Sequence, residues 1–553
     1  MNPLLARCLA NRGLCDLESA SEFLHPRLRS LRDPFELPDL QKAARRLWTA
    51  RARGEPIVIF GDYDVDGITA TAILYTALSA LGWRVKWYLP RRLEEGYGLT
   101  REAVANCLDR SPARILLAVD CGSTAVETIR WLQEREVETI VLDHHQISNP
   151  PPPAHAVVNP QRRAGENPPA PGIELCSAGL AFKLIHGLLK EGRAAGVRQA
   201  WEYDLKPLLD LVALGSVADM VPLVRENRIF VANGLRLLNN GGRPGLRILG
   251  EVAQVSRPIR SYEIAFQVAP RLNAAGRLED ASEAFQLLLA EDSDRARALA
   301  ENLDQKNRER QALERDIAEE AAGSIRKRFD PKRDYAIVEG SPGWHIGVVG
   351  IVASRILQEF YRPTVILGGE GAELRGSGRS VEGFDLAAAL RRCDDLLIRH
   401  GGHAMAAGVT VRPENLTALR ERLNRIARQT LRPELLLPPL RLDLAVGLSE
   451  LTVESVRELE RLHPIGQGNP PVQLLVPRLR LARPPTRIGR DQQHLKFFVT
   501  DGREVREVIW WGGALQGREP SGLFDIACAP QVNEFNGRVS VQLRLLDWRP
   551  ARR

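Results

Sequence analysis

Acidic and histidine side chains follow several apolar segments of this sequence, and their spacing could hold divalent metal ions. The stretch from Gly61 to Ala70 contains three carboxylates at alternate positions, Asp62, Asp64 and Asp66, directly after an apolar run. Carboxylates this close together repel one another, and a divalent cation would neutralise them. The sequence therefore predicts that this turn contributes to a metal site.

Further acidic turns extend this set. Asp120 follows one apolar run, Asp143-His144-His145 follows another, and Asp219 lies at the end of an apolar segment that should be helical. A lone aspartate in such a place is more often a helix cap, and a lone histidine is more often a buried core residue. Several acidic turns and a histidine pair on one predicted edge favour a metal centre instead. Oxygen and imidazole donors without thiolate favour Mn²⁺ or Mg²⁺ over structural zinc.

Short apolar runs separated by helical patterns predict the elements that position these side chains. The runs 57–60, 85–89, 115–119 and 139–142 have the rhythm of βαβ units, which indicates a mostly parallel sheet. Open α/β sheets bind ligands at the carboxyl ends of their strands. The acidic turns should therefore meet in one crevice.

The whole chain is too long for one ordinary domain, since it has 553 residues with a globular composition of 44% hydrophobic and 26% charged residues. We expect an α/β protein with a parallel-sheet domain, a long connecting helix, a second smaller α/β domain and a C-terminal antiparallel OB-like β-barrel. The expected bounds are 1–50 for an N-terminal helical extension, 51–280 for the metal-binding catalytic domain, 281–330 for the connecting helix, 331–433 for the substrate-binding domain and 437–553 for the barrel.

Composition and charge exclude several classes of protein. The sequence contains no run of eighteen apolar residues and no signal-peptide core, so we expect neither a membrane protein nor a secreted one. The 7 cysteines form no Cys-x-x-Cys pair, which argues against a disulfide framework and fits a reducing cytoplasm. The net charge of +7 is a weak sign of a nucleic-acid partner by itself.

Local charge is more informative in the predicted barrel. Between Pro477 and Thr500 six basic side chains accompany a single acid, which suits a surface that follows phosphates, although a solvated strand face is the alternative. Nearby aromatic side chains could stack on bases, but strand alternation should bury about half of them. These aromatic residues are Phe497, Phe498, Trp510, Trp511 and Phe535.

The acidic and histidine pattern resembles the DHH phosphoesterase superfamily. The similarity rests on Asp-x-Asp-Gly after a strand, a later strand-end aspartate, Asp143-His144-His145 and Ala218-Asp219. Further segments resemble the RecJ branch, whose members are single-strand-specific 5′→3′ DNA exonucleases, and the match covers nearly the whole chain. The family usually has a short extra segment before the stretch that begins here at Leu4, so we expect the start to be either truncated or shorter than in the family. The RecJ-like segments are PRLNAAGR from Pro270, WHIGVVGIVASR from Trp344, GSGRS from Gly376, HGGH from His400 and HPIGQGNP from His463.

The resemblance implies roles for individual residues. Asp120 would bridge two ions of Mn²⁺ or Mg²⁺, His145 would touch the reacting phosphate, and His403 would face the scissile phosphate. Asp62 would take part in the first metal site. The implied metal ligands are Asp64, Asp66, Asp120, His144 and Asp219. The implied substrate-binding residues are Arg271, Asn273, Arg277, His345, Arg355, Ser377 and Arg379.

The substrate contacts have plainer alternatives. The segment 376–380 offers backbone N–H groups, two hydroxyls and a guanidinium that suit a 5′-phosphate, but it could be only a glycine-rich turn. The two glycines before His403 permit close backbone approach, or they could serve a helix-capping loop. Arg271, Arg277 and Arg355 could form structural salt bridges instead.

On this resemblance, the favoured hypothesis is a metal-dependent 5′→3′ exonuclease that degrades single-stranded DNA to mononucleotides by two-metal phosphodiester hydrolysis, in DNA recombination and repair. One alternative is a phosphodiesterase of the same superfamily for short oligoribonucleotides or cyclic dinucleotides, against which the residues beyond Leu437 argue. Another is a catalytically silent binding module. We expect a cytoplasmic monomer that binds single-stranded DNA with a 5′ end, with a single-strand-binding protein and a helicase as further partners.

Overall fold

Helices open the chain in this computed structural model, which describes residues 2–96, 98–166, 170–369 and 371–551. Two of them, α1 (Pro3–Asn11) and α2 (Leu17–Leu24), precede the first sheet together with a longer helix, α3 (Leu40–Arg53). Asn2 and Asp16 cap α1 and α2 with their side chains.

A parallel sheet forms the core of the first domain, as the sequence predicts. Its strands are β1 (Ile57–Gly61), β2 (Val85–Tyr88), β3 (Ile115–Val119), β4 (Glu138–Leu142) and β5 (Ala156–Val158). They are arranged in the order β2-β1-β3-β4-β5, and every neighbouring pair is parallel. Strands β1 and β3 are buried along their whole length, which explains why both are continuous apolar runs.

Helices pack against both faces of this sheet and form a hydrophobic core on each. Helix α4 is apolar nearly all round and is buried, in agreement with its position directly behind β1. The helices of this domain after α3 are α4 (Val65–Ala80), α5 (Arg92–Glu95), α6 (Arg101–Arg110), α7 (Val126–Gln133), α8 (Ser177–Ala194), α9 (Arg198–Glu202), α10 (Leu209–Ala218), α11 (Arg225–Asn239) and α12 (Pro244–Val252).

A helical segment then leads to the second domain. It consists of α13 (Ser261–Glu263), a π-helical stretch (Ile264–Val268), α14 (Ala269–Leu278), α15 (Ser282–Leu289) and the long helix α16 (Ser293–Arg326). The long helix begins at Ser293, where Asp292 caps it, rather than at the expected residue 281. It is also less exposed than expected, because its first half packs on the first domain and its second half on the second domain.

The second domain contains a mixed sheet. Its strands are β6 (Ile337–Gly340), β7 (Thr364–Gly368), β8 (Leu374–Arg379), β9 (Leu397–Gly402) and β10 (Ala406–Val411). Their order is β6-β7-β8-β10-β9, and only the first pair is parallel. The helices of this domain are α17 (Val349–Phe360), α18 (Leu386–Arg391) and α19 (Leu416–Thr430).

The C-terminal domain is a small barrel with one helix, α20 (Val453–Leu459). Its strands are β11 (Leu444–Ala445), β12 (Leu474–Ile488), β13 (His494–Thr500), β14 (Val505–Trp510), β15 (Phe524–Phe535) and β16 (Arg538–Pro550). The sheet closes because β12 pairs with both β13 and β15. The expected antiparallel pairing has two exceptions, since β11–β12 and β14–β16 are parallel.

The beginning of the chain packs against this barrel. Leu5 and Leu9 of α1 share a hydrophobic core with the barrel strands, whereas α3 belongs to the core of the first domain. The N-terminal segment is thus divided between the barrel and the first domain. Within the described residues, the helices are either too short or too polar to span a membrane.

A buried arginine joins the first domain to the barrel. Arg228 of α11 is 2% exposed, and its guanidinium donates hydrogen bonds to the carbonyl of Phe23 and to the carbonyls of residues 461–464. In addition, the N–H of Leu223 donates to the carbonyl of Gln467 over 2.7 Å. The barrel-domain loop that contains residues 461–467 therefore packs against the turn that follows α10.

Candidate metal centre and cleft

The carboxyl ends of β1, β3 and β4 bring acidic and histidine side chains together. Among the described residues there are three groups of ligand atoms, and within each group the atoms lie within 4.8 Å of one another; the groups share members and so form one continuous cluster. The acidic turns therefore meet in one crevice, as the sequence predicts. The groups are Asp62 with Asp64 and Asp120, Asp120 with His144 and His145, and Asp66 with His144 and Asp219.

His144 lies at the centre of the cluster. Its Nε2 is 3.4 Å from a carboxylate oxygen of Asp120, 3.6 Å from Asp219 and 3.8 Å from Asp66. Among the described residues, neither this Nε2 nor Oδ1 of Asp62 has a hydrogen-bond partner, although both atoms are buried. Buried polar atoms without partners are costly, and a bound cation would satisfy them.

The turn after β1 is fixed by the start of α4. Oδ1 of Asp64 caps the helix by accepting hydrogen bonds from the N–H groups of Asp66 (2.9 Å) and Gly67 (3.1 Å). A Cβ atom on Gly67 would lie 2.6 Å from the carbonyl oxygen of Asp62, so only glycine fits. This close approach makes the turn tight enough for all three carboxylates to converge.

The start of α8 holds two carboxylates of the cluster. The N–H groups of Ser177 and Ala178 donate to Asp66 over 2.7 and 2.9 Å, and the hydroxyl of Ser177 donates to Asp120 over 2.8 Å. The positive end of the helix dipole adds to this stabilisation. Sequence reasoning missed Ser177, whose only sign is its place at the start of a long apolar helix.

Asp143 orients the histidine pair. Its Oδ1 accepts hydrogen bonds from the N–H groups of His144 and His145 and from Nδ1 of His145, the last over 2.7 Å. Burial alone would favour the neutral forms of Asp143 and His145. The hydrogen bond and the attraction between the two side chains outweigh burial, so the pKa of Asp143 lies below its ordinary value and the pKa of His145 is raised to about 9. The ring of His145 is thereby fixed in orientation.

Four carboxylates of the cluster, Asp62, Asp66, Asp120 and Asp219, have raised pKa values and are protonated more easily than usual. Burial, with repulsion from neighbouring carboxylates, raises the pKa of Asp62 to about 8 and that of Asp219 to about 9, and it also raises the pKa of Asp66 and Asp120. A cation that binds here would displace protons. Buried oxygen donors with one central imidazole fit Mn²⁺ or Mg²⁺.

A cavity of about 480 Å³ opens beside the cluster. One wall comes from the first domain, with Ser123 and His145, and the other from the second domain, with Gly402 and His403. The N–H of His403 donates to the carbonyl of Ala406, and its side chain is exposed. The structure therefore brings His403 and His145 to one cavity, whose volume is in the range of small-ligand sites.

Three arginines approach one another near the cluster. Burial lowers the pKa of Arg277 to about 10 and also lowers that of Arg379, and in both cases the charge of Arg92 adds to the effect. Arg379 donates to the hydroxyl of Ser377 over 2.7 Å. Because these positive guanidinium groups repel one another, a bound anion would offset the repulsion and accept their hydrogen bonds. Sequence reasoning missed Arg92, although its place after β2, at the same edge of the sheet, was a usable sign.

Two further predicted residues hold the turns around the cleft. The side-chain oxygen of Asn273 accepts a hydrogen bond from the N–H of Val65, 3.1 Å away, in the turn of the metal cluster. Nδ1 of His345 accepts from the N–H of Gly347 over 3.1 Å, and Arg277 donates to the carbonyl of Gly347. The hydrogen bond from Arg277 to Gly347 connects the first domain to the second.

Arg271 and Arg355 form ion pairs with the long helix. Arg271 lies 2.8 Å from Asp304, and Arg355 lies 3.3 Å from Glu314. Both acids belong to α16, so each arginine makes the structural ion pair that was the alternative to a strand contact, and Arg271 also donates to the carbonyl of Gln267.

The barrel exposes part of its aromatic and basic side chains. Phe497 and Trp510 are buried in the barrel core, whereas Trp511 and Phe535 are 57% and 69% exposed, in agreement with the expected division. Phe498 is half-buried beneath Arg483. The exposed basic residues of β12 are Arg478, Arg480, Arg483 and Arg487.

Comparison with known families agrees with this architecture. The family models described as "DHH family, N-terminal domain", "DHHA1 domain" and "RecJ OB domain" match residues 56–216, 333–429 and 442–547. The chain is 37% identical to the single-stranded-DNA-specific exonuclease RecJ of Bacillus subtilis over 99% of this chain and 68% of that protein. The chain belongs to the RecJ family.

Solved RecJ structures have the same fold. A crystal structure of RecJ from Thermus thermophilus in complex with Mn²⁺ superposes with a TM-score of 0.84 at 32% identity, covering 100% of this chain and 76% of that one. The Mg²⁺ complex from the same organism gives a TM-score of 0.78 at 30% identity, covering 100% and 75%. The RecJ fold thus extends over all three sheets described above.

Proposed function

We propose that this protein is a metal-dependent 5′→3′ exonuclease that degrades single-stranded DNA to mononucleotides in DNA recombination and repair. The observation that carries this proposal is the continuous cluster of carboxylates and imidazoles at the carboxyl ends of the parallel strands. The RecJ-family relatives, which are single-stranded-DNA-specific exonucleases, support the substrate.

We propose two ions of Mn²⁺ or Mg²⁺ in this cluster, with Asp120 between them. The buried atoms of His144 and Asp62 that lack hydrogen-bond partners among the described residues support this assignment, as do the similar RecJ structures solved in complex with Mn²⁺ and with Mg²⁺. Such a pair of ions supplies Lewis acidity to a phosphodiester. The proposed metal ligands are Asp64, Asp66, Asp120, His144 and Asp219, with Asp62 beside the first ion.

His145 and His403 would contact the reacting phosphate from opposite walls of the cavity. Asp143 fixes the ring of His145 and favours its protonated form, so the imidazole can donate a hydrogen bond to a phosphoryl oxygen. His403 lies on a loop of the second domain and would complete the site when the substrate spans the cavity.

The second domain would set the polarity of cleavage by binding the 5′-phosphate. Ser377 and Arg379 offer a hydroxyl and a guanidinium, and Arg92 and Arg277 add positive charge. An anion held there places the first phosphodiester of the strand near the metal cluster. Cleavage would then begin at the 5′ end.

The assignment of domains and partners follows from this function. We propose 51–280 as the catalytic domain, 331–433 as the substrate-binding domain and 437–553 as the strand-binding barrel, with Asn273 and His345 at the cleft. The protein would be a monomer in the cytoplasm, where its free cysteines stay reduced. A helicase and a single-strand-binding protein would be partners, because single strands arise where duplexes are unwound.

Digestion of end-labelled oligonucleotides with Mn²⁺ tests the proposal. The expected result is release of labelled mononucleotide from 5′-labelled single strands at once, and from 3′-labelled strands only at the end of digestion. Asp120→Asn should bind the strand and fail to cleave it, because the bridging carboxylate is lost. Cleavage restricted to oligoribonucleotides or cyclic dinucleotides, or binding without cleavage by the wild type, would contradict the proposal.

A further inference from the structure

Two aromatic side chains of the first domain are exposed side by side. Tyr262 and Phe266 are 60% and 66% exposed, and their ring centroids lie 4.8 Å apart with the planes tilted by 37°. Ile264 and Val268, on the same segment, are buried in the domain core, so the segment is firmly anchored. An exposed aromatic pair on an anchored helix is typical of a binding surface.

The pair lies on a segment that contacts both the barrel and the metal turn. At its start, the hydroxyl of Ser261 donates to the carbonyl of Ile465 in the barrel-domain loop. Toward its end, Asn273 accepts the hydrogen bond from Val65 beside the metal cluster. Phe266 lies between Ser261 and Asn273 along this segment, in the π-helical stretch that leads directly into α14. The aromatic pair therefore lies between the two regions.

Two exposed arginines, Arg257 and Arg260, precede the pair on the chain. The nearby acid on the segment, Glu263, is engaged in accepting a hydrogen bond from the N–H of Arg260 over 2.8 Å. Aromatic rings beside guanidinium groups form the usual surface for single-stranded nucleic acid, because the rings stack on bases and the charges follow the phosphates.

We infer that Tyr262 and Phe266 form a stacking platform for bases of single-stranded DNA between the metal centre and the barrel. The inference rests on the proposed function. The 5′ end would be held by the second domain, so the stacked bases belong to the strand on the 3′ side of the scissile phosphate. Because every base has an aromatic face, the platform binds without base preference.

Binding measurements on ring-deleted variants test the platform. In the full chain carrying Asp120→Asn to prevent cleavage, Tyr262→Ala and Phe266→Ala should each weaken the binding of a fluorescent oligonucleotide of about 12 nucleotides by about tenfold. Phe266→Leu, which keeps apolar bulk but removes the ring, should behave like Phe266→Ala. Trp201→Ala is the matched control, because Trp201 is equally exposed, at 66%, but lies on α9 outside this segment.

An abasic scan locates the stacked bases. Strands with one abasic nucleotide at successive positions from the 5′ end should bind less tightly at one or two adjacent positions, and the double alanine variant should lose that position dependence. Equal binding by all variants, or an unchanged abasic profile, would overturn the inference and leave the pair as a surface for a protein partner. If either result is found and the wild-type protein still degrades single strands from the 5′ end, only the stacking platform is rejected and the proposed function stands.

Discussion

At the residue scale, single hydrogen-bond donors hold the carboxylates of the metal cluster. Ser177 donates from its N–H to Asp66 and from its hydroxyl to Asp120, so one residue fixes two proposed ligands. Such outer contacts keep ligand oxygens oriented before a cation arrives, and they tune its affinity. The chemistry of the cluster therefore depends on residues that do not themselves bind the metal.

Ser177→Ala should lower the apparent affinity for Mn²⁺ and kcat/KM by about 10- to 100-fold, because Asp120 loses its donor. The measurement is the rate of digestion of 5′-labelled single strands as a function of Mn²⁺ concentration. Ser79→Ala, at the exposed end of α4, is the control and should match the wild type. Unchanged Mn²⁺ dependence in the Ser177 variant would contradict this role.

The residues that meet in the cluster could be predicted from the sequence, whereas most of the residues that support them could not. Each aspartate follows an apolar run that is recognisable as a strand or helix, and parallel strands end at one edge. Ser177 carries no such sign, because tertiary packing alone brings it to the cluster, whereas Arg92 follows β2 at the same edge of the sheet and could have been found. The ion pair of Arg271 was unpredictable for the same reason as the contacts of Ser177, because its partner Asp304 lies on a helix whose orientation the sequence does not give.

At the element scale, a loop of the barrel domain supports the turn that carries Asp219. The N–H of Leu223 donates to the carbonyl of Gln467, and Gly468 has a positive φ of 72°. A Cβ atom on Gly468 would lie 3.0 Å from Cβ of Pro222. The loop therefore requires glycine both for its backbone conformation and for its contact with the turn.

Gly468→Ala should lower activity by raising the Mn²⁺ concentration needed for half-maximal rate, because the displaced Pro222 shifts the turn after Asp219. Gly522→Ala is the matched control: its φ is 66°, but nothing lies within 4 Å of its Cβ position. Both variants carry backbone strain of about 1 kcal/mol, and only the first should change the Mn²⁺ dependence. Identical Mn²⁺ curves for the two would refute the coupling.

His463 of the same loop should make stability depend on pH. Burial, with the charges of Arg260 and Arg228, lowers its pKa to about 4, and its Nδ1 has no hydrogen-bond partner among the described residues. An unfolded histidine has a pKa of about 6.5, so the unfolded state binds the extra proton first. The contribution to stability is fully present above a pH of about 6.5 and is lost as the pH falls toward about 4.

Urea unfolding at about pH 7 and about pH 5 measures this effect. The free energy of unfolding of the wild type should fall by about 2 kcal/mol more than that of His463→Gln over this interval. Equal falls for the two proteins would show that the imidazole is protonated as easily in the folded state as in the unfolded one.

Element types were largely predictable, and their exact extents were not. The strands of the first sheet follow from apolar runs, but α16 begins later than its pattern suggests, because Asp292 caps it. Closure of the barrel through β12 and β15 depends on pairing between strands far apart in sequence, for which periodicity gives no sign.

At the scale of the whole molecule, the two ends of the chain form one unit. Leu5 and Leu9 of α1 lie in the barrel core, and Arg228 connects the barrel to the first domain. Removal of the barrel would therefore expose α1 and leave Arg228 without its carbonyl partners. The contribution of the barrel to strand binding is better tested by substitutions on its surface.

The triple variant Arg480→Gln, Arg483→Gln and Arg487→Gln should weaken strand binding and lower the steepness of its salt dependence. Each lost phosphate contact reduces the slope of log K against log salt by about 0.7 for a single strand, so the expected decrease is about 2. The control removes three exposed arginines from helices α3 and α9, Arg45, Arg53 and Arg198. Equal slopes in wild type and triple variant would show that β12 does not contact the strand.

Anomalous diffraction from crystals grown with Mn²⁺ tests the central claim most directly. The account predicts two strong peaks inside the cluster, one on each side of the Asp120 carboxylate and both near His144, and the loss of at least one peak in Asp120→Asn. Absence of anomalous signal between Asp64, Asp120, His144 and Asp219 at saturating Mn²⁺, in crystals that diffract well, would contradict the account.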